Sequence, residues 1–466
     1  MPGDTLYDLV VLGGGPGGYS CALRAAQRGL RVALVEKDRI GGVCLNRGCI
    51  PTKVALQAAA FMRGPAAAAP FGVSLGPAKL NLPALRQHQA KVVRWLTSGV
   101  EALLYQRGVE VFPGDARLAP DGVVGIRGQE GHRTVRGSIR VIATGSRERQ
   151  LPQLPIDGAR VLGSTEALAL EELPGAIAVV GAGAVGTEFA SMFADFGSEV
   201  TLIEALPHIL PLEDRECAEV VAQSLASRGV RILTDAPVRA VGQSGGRVLL
   251  ECQAQGQAVR VTADKVLVAV GRVPNTDDIG LEELGVRRVR GFIEVDADLR
   301  TSVPDLYAIG DCVPTLALAH VAAAEGKHVA DLIAGGRPRR LDQETMPRAT
   351  YAHPEIASVG LTQEQAESQG LDVAVTRYPL RANGKAAIYG EIEGMVKIVA
   401  EEDTHVVRGV HIVGPSASEL IAEAALAMRL EATAAEIAAT VHAHPTVSEA
   451  VLEGAESLLG VATHAG

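Results

Sequence analysis

Two groups of side chains in this 466-residue sequence have the types and spacing to do chemistry. The first is Cys44 and Cys49 in IGGVCLNRGCIPTK, residues 40–53. The stretch is glycine-rich and is expected to turn at Pro51 into a helix, TKVALQAAAFM. A cysteine near a helix N-terminus has its thiolate stabilised by the partial positive charge there, which lowers its pKa and makes it a better nucleophile or charge donor. Two such thiols form a dithiol–disulfide couple. The plainer alternative is a pair of buried structural thiols. A plant-type iron–sulfur site also begins C-x4-C, but it needs a C-x2 partner that this chain lacks. The second group is His442, His444, Pro445 and Glu449, in the pattern H-x-H-P-x-x-x-E. It reads as satisfied histidines, as a metal pair or as a general base. No third ligand follows at matching spacing for a metal. A base suits the composition, because imidazole titrates near neutrality and a carboxylate orients the ring and stabilises its protonated form. Pro445 is expected to start a helix, placing Glu449 about one turn along it and able to reach back.

Those groups need elements to hold them and something to exchange electrons with. Tyr7 to Leu12, YDLVVL, is a short apolar run of the kind that forms a buried parallel strand. It is followed by a glycine turn at 13–18, a helical stretch YSCALRAAQRG and a strand RVALVE ending at Glu36. In that arrangement Gly13 permits the turn, Gly15 lets the backbone approach a pyrophosphate, and Gly18 lets helix and strand pack closely. The helix N-terminus stabilises phosphate charge and Glu36 accepts from ribose hydroxyls. The segment AIAVVGAGAVGTEFASMFADFGSEVTLIE repeats the device with Gly181, Gly183, Gly186 and Glu204. In both copies the acid lies 23 positions after the first glycine. One G-x-G-x-x-G is weak evidence; two in the full strand–helix–strand–acid setting predict two dinucleotide sites. Glu204 would bond the 2′-hydroxyl of NAD and repel the 2′-phosphate of NADP, and Ala205, Leu206 and Pro207 supply no arginine. The alternative for Glu204 is a solvated charge at a strand end.

Composition narrows the partners. Lys plus Arg is 44 against 54 for Asp plus Glu, a net charge of −10, which argues against a general nucleic-acid binder. One Trp, seven Tyr and seven Phe leave little for base stacking. Hydrophobic content of 47% with 21% charged residues fits a globular chain. Six cysteines (21, 44, 49, 217, 252 and 312) make no disulfide scaffold, and no C-x-x-C suggests structural zinc, so no metal is expected. Cys312 is expected to be inert. No apolar run is long enough to span a membrane and no secretory leader is read in MPGDTLYDLVVLGGG, so a cytoplasmic, reducing setting is expected.

GGVCLNRGCIPTK directly after the first glycine turn resembles the pyridine nucleotide–disulfide oxidoreductases. VIATGS (141–146), GAGAVGTEFA (181–190), VAVGRVPN (268–275), LYAIGDC (306–312) and HAHPTVSEA (442–450) extend the resemblance over roughly residues 5 to 460. Within that family the chain is most similar to the dihydrolipoamide dehydrogenases. Mercuric reductases and long thioredoxin reductases carry C-terminal redox residues that this chain lacks. Soluble transhydrogenases lack the cysteine pair, and glutathione reductases are built for NADPH. The resemblance implies an α/β fold: two Rossmann-like domains, for FAD and NAD, and a C-terminal α+β dimerisation domain. It implies FAD on Gly13, Gly15, Gly18, Glu36, Gly114, Ala116, Gly145, Gly310 and Asp311, with Lys53, Ala319 and His320 at the flavin ring. It implies NAD on Gly181, Gly183, Gly186, Glu204, Val238, Gly271 and Arg272, with Glu188 near both flavin and nicotinamide. His444, partnered by Glu449, would be the base, with His442 outside the catalytic slot.

The implied activity is oxidation of protein-bound dihydrolipoamide, with electrons passing through the Cys44–Cys49 disulfide and FAD to NAD+. Cys44 would meet the substrate and Cys49 would lie nearer the flavin. Two other readings stay open: an NADH-dependent reductase of another disulfide, and a flavoprotein subunit with vestigial activity. The implied partners are a second copy of the chain, whose cysteine pair the base would serve, and a lipoyl-bearing carrier or 2-oxo acid dehydrogenase complex. The expected divisions are 1–146 for FAD, 147–272 for NAD, 273–345 completing the FAD domain, and 346–466 for dimerisation. The alanine-rich 64–72 is expected as loop.

Overall fold

The computed structural model describes residues 6–129, 131–254 and 256–464. They divide into two compact units. The first holds the described residues of Met1–Val54, Ala84–Arg149 and Arg272–Gln343. Its core is a sheet in the order Glu110–Pro113, Val32–Glu36, Leu6–Leu12, Gly131–Ile142, with Leu306–Ala308 beside the last strand. All five run parallel. The strand Leu306–Ala308 delivers Gly310 and Asp311 to the end of the same sheet that carries the glycine turn at 13–18. Leu9, Val10, Val11 and Leu12 are all buried, as expected for a strand covered on both faces. The helices Pro16–Gln27 and Ala319–Ile333 pack on each other. An antiparallel ribbon, Asp115–Leu118 with Val123–Gly128, extends the sheet. A two-stranded stem, Ser146–Glu148 against Arg272–Pro274, stands where the chain leaves this unit and returns.

The second unit holds Ala55–Pro83, Gln150–Gly271 and the described residues of Glu344–Gly466. It contains a five-stranded parallel sheet in the order Arg231–Leu233, Glu199–Ile203, Ala176–Val180, Lys265–Val268, Val161–Leu162. Three strands, Val238–Ser244, Arg247–Ala254 and Gln257–Ala263, form an antiparallel sheet. A five-stranded antiparallel sheet ends the unit, in the order Arg348–Thr350, Ile356–Gly360, Val407–Val413, Met395–Glu401, Val373–Pro379. The helices Ala417–Arg429 and Glu449–Leu458 bury Ile421, Ala424, Ala450 and Val451 in that sheet's core.

Three local expectations are corrected. The helix after the cysteines begins at Cys49, not at Pro51, which leaves Pro51 in the first turn where its missing N–H has no partner to lose. The same helix runs through Pro65 to Ala68, because alanines 66–68 favour helix and the proline sits close to its end. Pro445 does not start a helix; the last one begins at Glu449 after Ser448.

Candidate redox and nucleotide sites

Cys44 lies on a six-residue helix, Gly42–Arg47, and Cys49 is the first residue of Cys49–Ala68. The tight entry needs Gly41 and Gly42, whose φ values of 98° and 56° strain any residue with a Cβ. Asn46 closes the loop by donating through Nδ2 to the carbonyls of Ile40 (3.0 Å) and Gly42 (2.9 Å). Gln89 donates to the Pro51 carbonyl at 2.9 Å. Neither cysteine is in a disulfide, and both are half-buried. A hydrogen bond to Cys49, then burial, push the Cys44 thiol up, against the pull of Lys53. For Cys44 the direction is the opposite of the one expected, because the hydrogen bond within the reduced pair and burial outweigh the helix terminus and Lys53. Lys53 is four residues after Cys49 on one helix and shares its face.

The two glycine turns are the same object built twice. The Gly14 N–H donates to Glu36 Oε2 and the Ala182 N–H to Glu204 Oε2, each at 2.6 Å. The other oxygens accept from Asp38 N–H at 2.8 Å and Leu206 N–H at 3.0 Å. A Cβ on Gly18 would stand 1.8 Å from the Gly13 carbonyl oxygen, and one on Gly186 1.8 Å from that of Gly181. Those glycines let helix meet strand. By contrast, a Cβ on Gly15 meets only Gly42 Cα at 4.0 Å, and one on Gly183 meets nothing within 4 Å. Protein packing does not require glycine at these two positions; the open space at each helix start suits a pyrophosphate. Each carboxylate oxygen has one backbone donor and spare lone pairs for ribose hydroxyls. On these counts the residues fit FAD and NAD.

Around Asp311 the first unit adds a chain of polar contacts. Ser146 Oγ donates to Asp311 Oδ2 at 2.6 Å, and Arg272 Nε donates to Ser146 Oγ at 2.6 Å. Arg272 lies 3.8 Å from Asp311 and also donates to the Ser146 carbonyl at 2.7 Å. Its guanidinium thus groups with residues expected for FAD, whereas it was expected with NAD. The Gly310 N–H donates to Glu325 Oε2 at 2.6 Å, and burial raises the pKa of that fully enclosed carboxyl. Ala319 and His320 open the helix Ala319–Ile333. The Gly114 N–H reaches the Glu36 carbonyl at 2.9 Å, Ala116 is half-buried in the ribbon, and Gly145 has φ 68°. In the second unit, Glu188 is buried and accepts from the Tyr351 N–H at 3.0 Å. Val238 packs its side chain into the core, and its carbonyl accepts from Gln153 Nε2 at 3.3 Å. Gly271 has φ 100°.

His444 Nδ1 lies 2.9 Å from Glu449 Oε1, and the Thr446 N–H donates to Glu449 Oε2 at 2.8 Å. Burial alone would raise the Glu449 carboxyl; the Thr446 and His444 bonds overcome it and hold the group below its ordinary value. A ring with Nδ1–H on a carboxylate presents a bare Nε2, the form a base needs. The His444 side chain is 78% exposed. His442 makes a second pair, Nε2 to Glu423 Oε1 at 2.9 Å.

Cys21, Cys217, Cys252 and Cys312 are buried. Burial pushes Cys21 and Cys312 up to about 12, so they are inert. Ser146, Glu325 and Glu423 went unread in the sequence. Ser146 meets Asp311 across 165 residues and Glu423 meets His442 across 19, so no local pattern announces either. Among the described residues no group of side chains could hold a metal, and no helix is long and apolar enough to cross a membrane.

Residues 7–326 match the family model for pyridine nucleotide-disulphide oxidoreductase, and 346–455 match the dimerisation domain of the same family. The chain is 41% identical to a dihydrolipoyl dehydrogenase of Bacillus subtilis, covering 99% of each. It is 43% identical to one of Thermus scotoductus, covering 98% of each. Among solved structures, LpdA of Mycobacterium tuberculosis matches with a TM-score of 0.90 at 31% identity, over 97% of this chain and 99% of that one. The HOCl-induced flavoprotein disulfide reductase RclA of Escherichia coli matches at 0.85 and 28%, with the same coverage. The chain belongs to the pyridine nucleotide-disulphide oxidoreductases.

Proposed function

We propose that this chain is an NAD-linked dihydrolipoyl dehydrogenase that works with FAD, in which Cys44, Cys49, His444 and Glu449 carry the thiol chemistry. The observation that carries the reading is the hydrogen-bonded Cys44–Cys49 pair at the head of a helix, in a chain that also holds an oriented histidine base. His444 Nε2 takes a proton from one substrate thiol while Glu449 holds the ring and balances its charge. The resulting thiolate attacks the Cys44 sulfur of the oxidised pair, the Cys44–Cys49 bond breaks, and Cys49 leaves as thiolate. The second substrate thiol then attacks the mixed disulfide, closes the lipoyl ring and releases Cys44. One disulfide has been reduced and one dithiol oxidised. Bound FAD supplies a carrier that takes an electron pair from a dithiol and gives a hydride to NAD+. Gly13, Gly15, Gly18, Glu36, Gly114, Ala116, Gly145, Gly310 and Asp311 would hold it, with Lys53, Ala319 and His320 toward its ring. Gly181, Gly183, Gly186, Glu188, Glu204, Val238 and Gly271 would hold NAD.

The chain's organisation is read with boundaries near 146, 272 and 345. The residues matching a dimerisation domain support a homodimer, in which the exposed His444 of one copy serves the cysteine pair of the other. The carrier is a lipoyl-bearing protein of the kind found in 2-oxo acid dehydrogenase complexes, and the setting is cytoplasmic and reducing. Similarity to a flavoprotein disulfide reductase keeps a second reading in play, reduction of some other disulfide at the expense of NADH. Comparing dihydrolipoamide with other dithiols as donors for NAD+ reduction decides between them. Dihydrolipoamide should be preferred at least about tenfold in kcat/KM, and Cys49→Ser should abolish that turnover while the protein keeps its flavin. Full activity in the variant refutes the assignment.

A further inference from the structure

His442 stands two residues before the base and makes two contacts of its own. Its Nδ1 lies 2.8 Å from the Thr440 carbonyl and its Nε2 lies 2.9 Å from Glu423 Oε1. The Thr440 carbonyl accepts from the ring and the Glu423 carboxyl group engages its other nitrogen, so both ring nitrogens are held. The His442 side chain is 5% exposed and that of Glu423 32%.

The segment from Thr440 to Ser448 has no helix or strand to hold it. It runs between the helices Ala434–Ala438 and Glu449–Leu458. On one side of His444 it is pinned at His442 to the helix Ala417–Arg429, which carries Glu423. On the other side it is pinned at Thr446, whose N–H meets Glu449 and whose carbonyl accepts from Asn383 Nδ2 at 3.1 Å. His444 lies between the two pins. The charged groups that His442 meets are Glu423 from the helix Ala417–Arg429 and, at longer range, Glu449 from the last helix.

We infer that the His442–Glu423 contact is the positioning device of the base: it fixes the path of the segment that carries His444. The inference rests on the reading of His444 as the base. His442 and Glu423 touch neither substrate nor cofactor and act through His444. Losing the pin lets the segment drift, and a base displaced by about an ångström loses about tenfold or more in rate.

The test uses the holoenzyme and five variants: Glu423→Gln, His442→Gln, the double change, Glu423→Asp for rescue, and His444→Ala as reference. Each single variant should lower dihydrolipoamide-driven NAD+ reduction about tenfold. The double variant should lose less than the product of the two, since the residues act as one unit. NADH-driven reduction of an electron-accepting dye, which needs no thiol, should stay near wild type in all three and shows that the flavoprotein is folded. Glu423→Asp keeps the carboxyl group and should restore most of the rate, which keeps the test open if His442→Gln does not fold. Single variants with wild-type turnover overturn the inference, as does an equal loss of thiol and dye activity. His444→Ala with wild-type turnover overturns the base reading itself, a separate outcome.

Discussion

Gly183→Ala separates what the protein needs from what a ligand needs. Gly183 caps the helix Ala184–Phe196 with φ −68° and ψ −173°, angles open to any residue. An added Cβ meets no protein atom within 4 Å. The cost to folding is then the weaker capping of alanine, about 0.5 kcal/mol, a shift of a degree or two in Tm. The cost to binding is larger if the space is the seat of the NAD pyrophosphate. A methyl group driven into a filled contact costs about 1–3 kcal/mol, or roughly 5- to 150-fold in affinity at 1.4 kcal/mol per decade. Gly186→Ala is the contrast, because its Cβ would stand 1.8 Å from a backbone oxygen that cannot move aside. That change should lower Tm by many degrees before any ligand is added. The assay is NAD+ titration of the purified flavoprotein with Tm and flavin content measured in parallel. Unchanged NAD+ affinity in Gly183→Ala would show that the space is not where the pyrophosphate sits.

Four further outcomes follow. Lys397 is 1% exposed and meets Asp214, fully buried, at 2.8 Å, so Lys397→Met strands a buried carboxylate and should cost about 3–5 kcal/mol; adding Asp214→Asn should recover part of it, read by unfolding midpoints. Glu216 is held down to about 2, by Arg377 first and then Lys397 against burial, so its folded pKa lies below its unfolded value. Its contribution is present above about pH 4.3 and is lost as pH falls from there through about 2, and acid unfolding should move to higher pH in Arg377→Gln. NADH should outpace NADPH in dye reduction at equal concentration, because the Glu204 carboxylate would face a 2′-phosphate; the reverse order would refute the NAD assignment. Mixed dimers of Cys49→Ser with His444→Ala subunits should regain up to one working site per heterodimer, and no recovery would count against a site shared between copies.

What the sequence revealed here was what repeats or sits close along the chain. The two glycine turns were legible because strand, turn, helix and acid follow one another, and the backbone contacts of Glu36 and Glu204 are superposable in kind. The pairing of His444 with Glu449 was legible across five residues, although its route was misjudged: Glu449 begins the helix and does not follow a turn of it. The effect of position on Cys44 was misread because the hydrogen bond within the reduced pair and burial outweigh the helix end. The side-chain direction of Arg272 was hidden because strand Arg272–Pro274 turns it toward Ser146, and only the pairing of distant strands decides that. The buried Lys397–Asp214 contact joins residues 183 apart and leaves no trace in either local sequence.

The stem formed by Ser146–Glu148 and Arg272–Pro274 pairs Arg272 directly with Glu148. Everything between them hangs from two adjacent points of the first unit. Closing a loop of over a hundred residues costs little more than closing a short one when the ends already meet, because that entropy grows only with the logarithm of length. The inserted segment is, in topological terms, a cassette. It leaves and rejoins the strands of the first unit at one place, and it carries the second copy of the glycine turn. It also marks where a builder would cut: replacing residues 149–271 with a tight turn leaves the two stem strands as an ordinary hairpin.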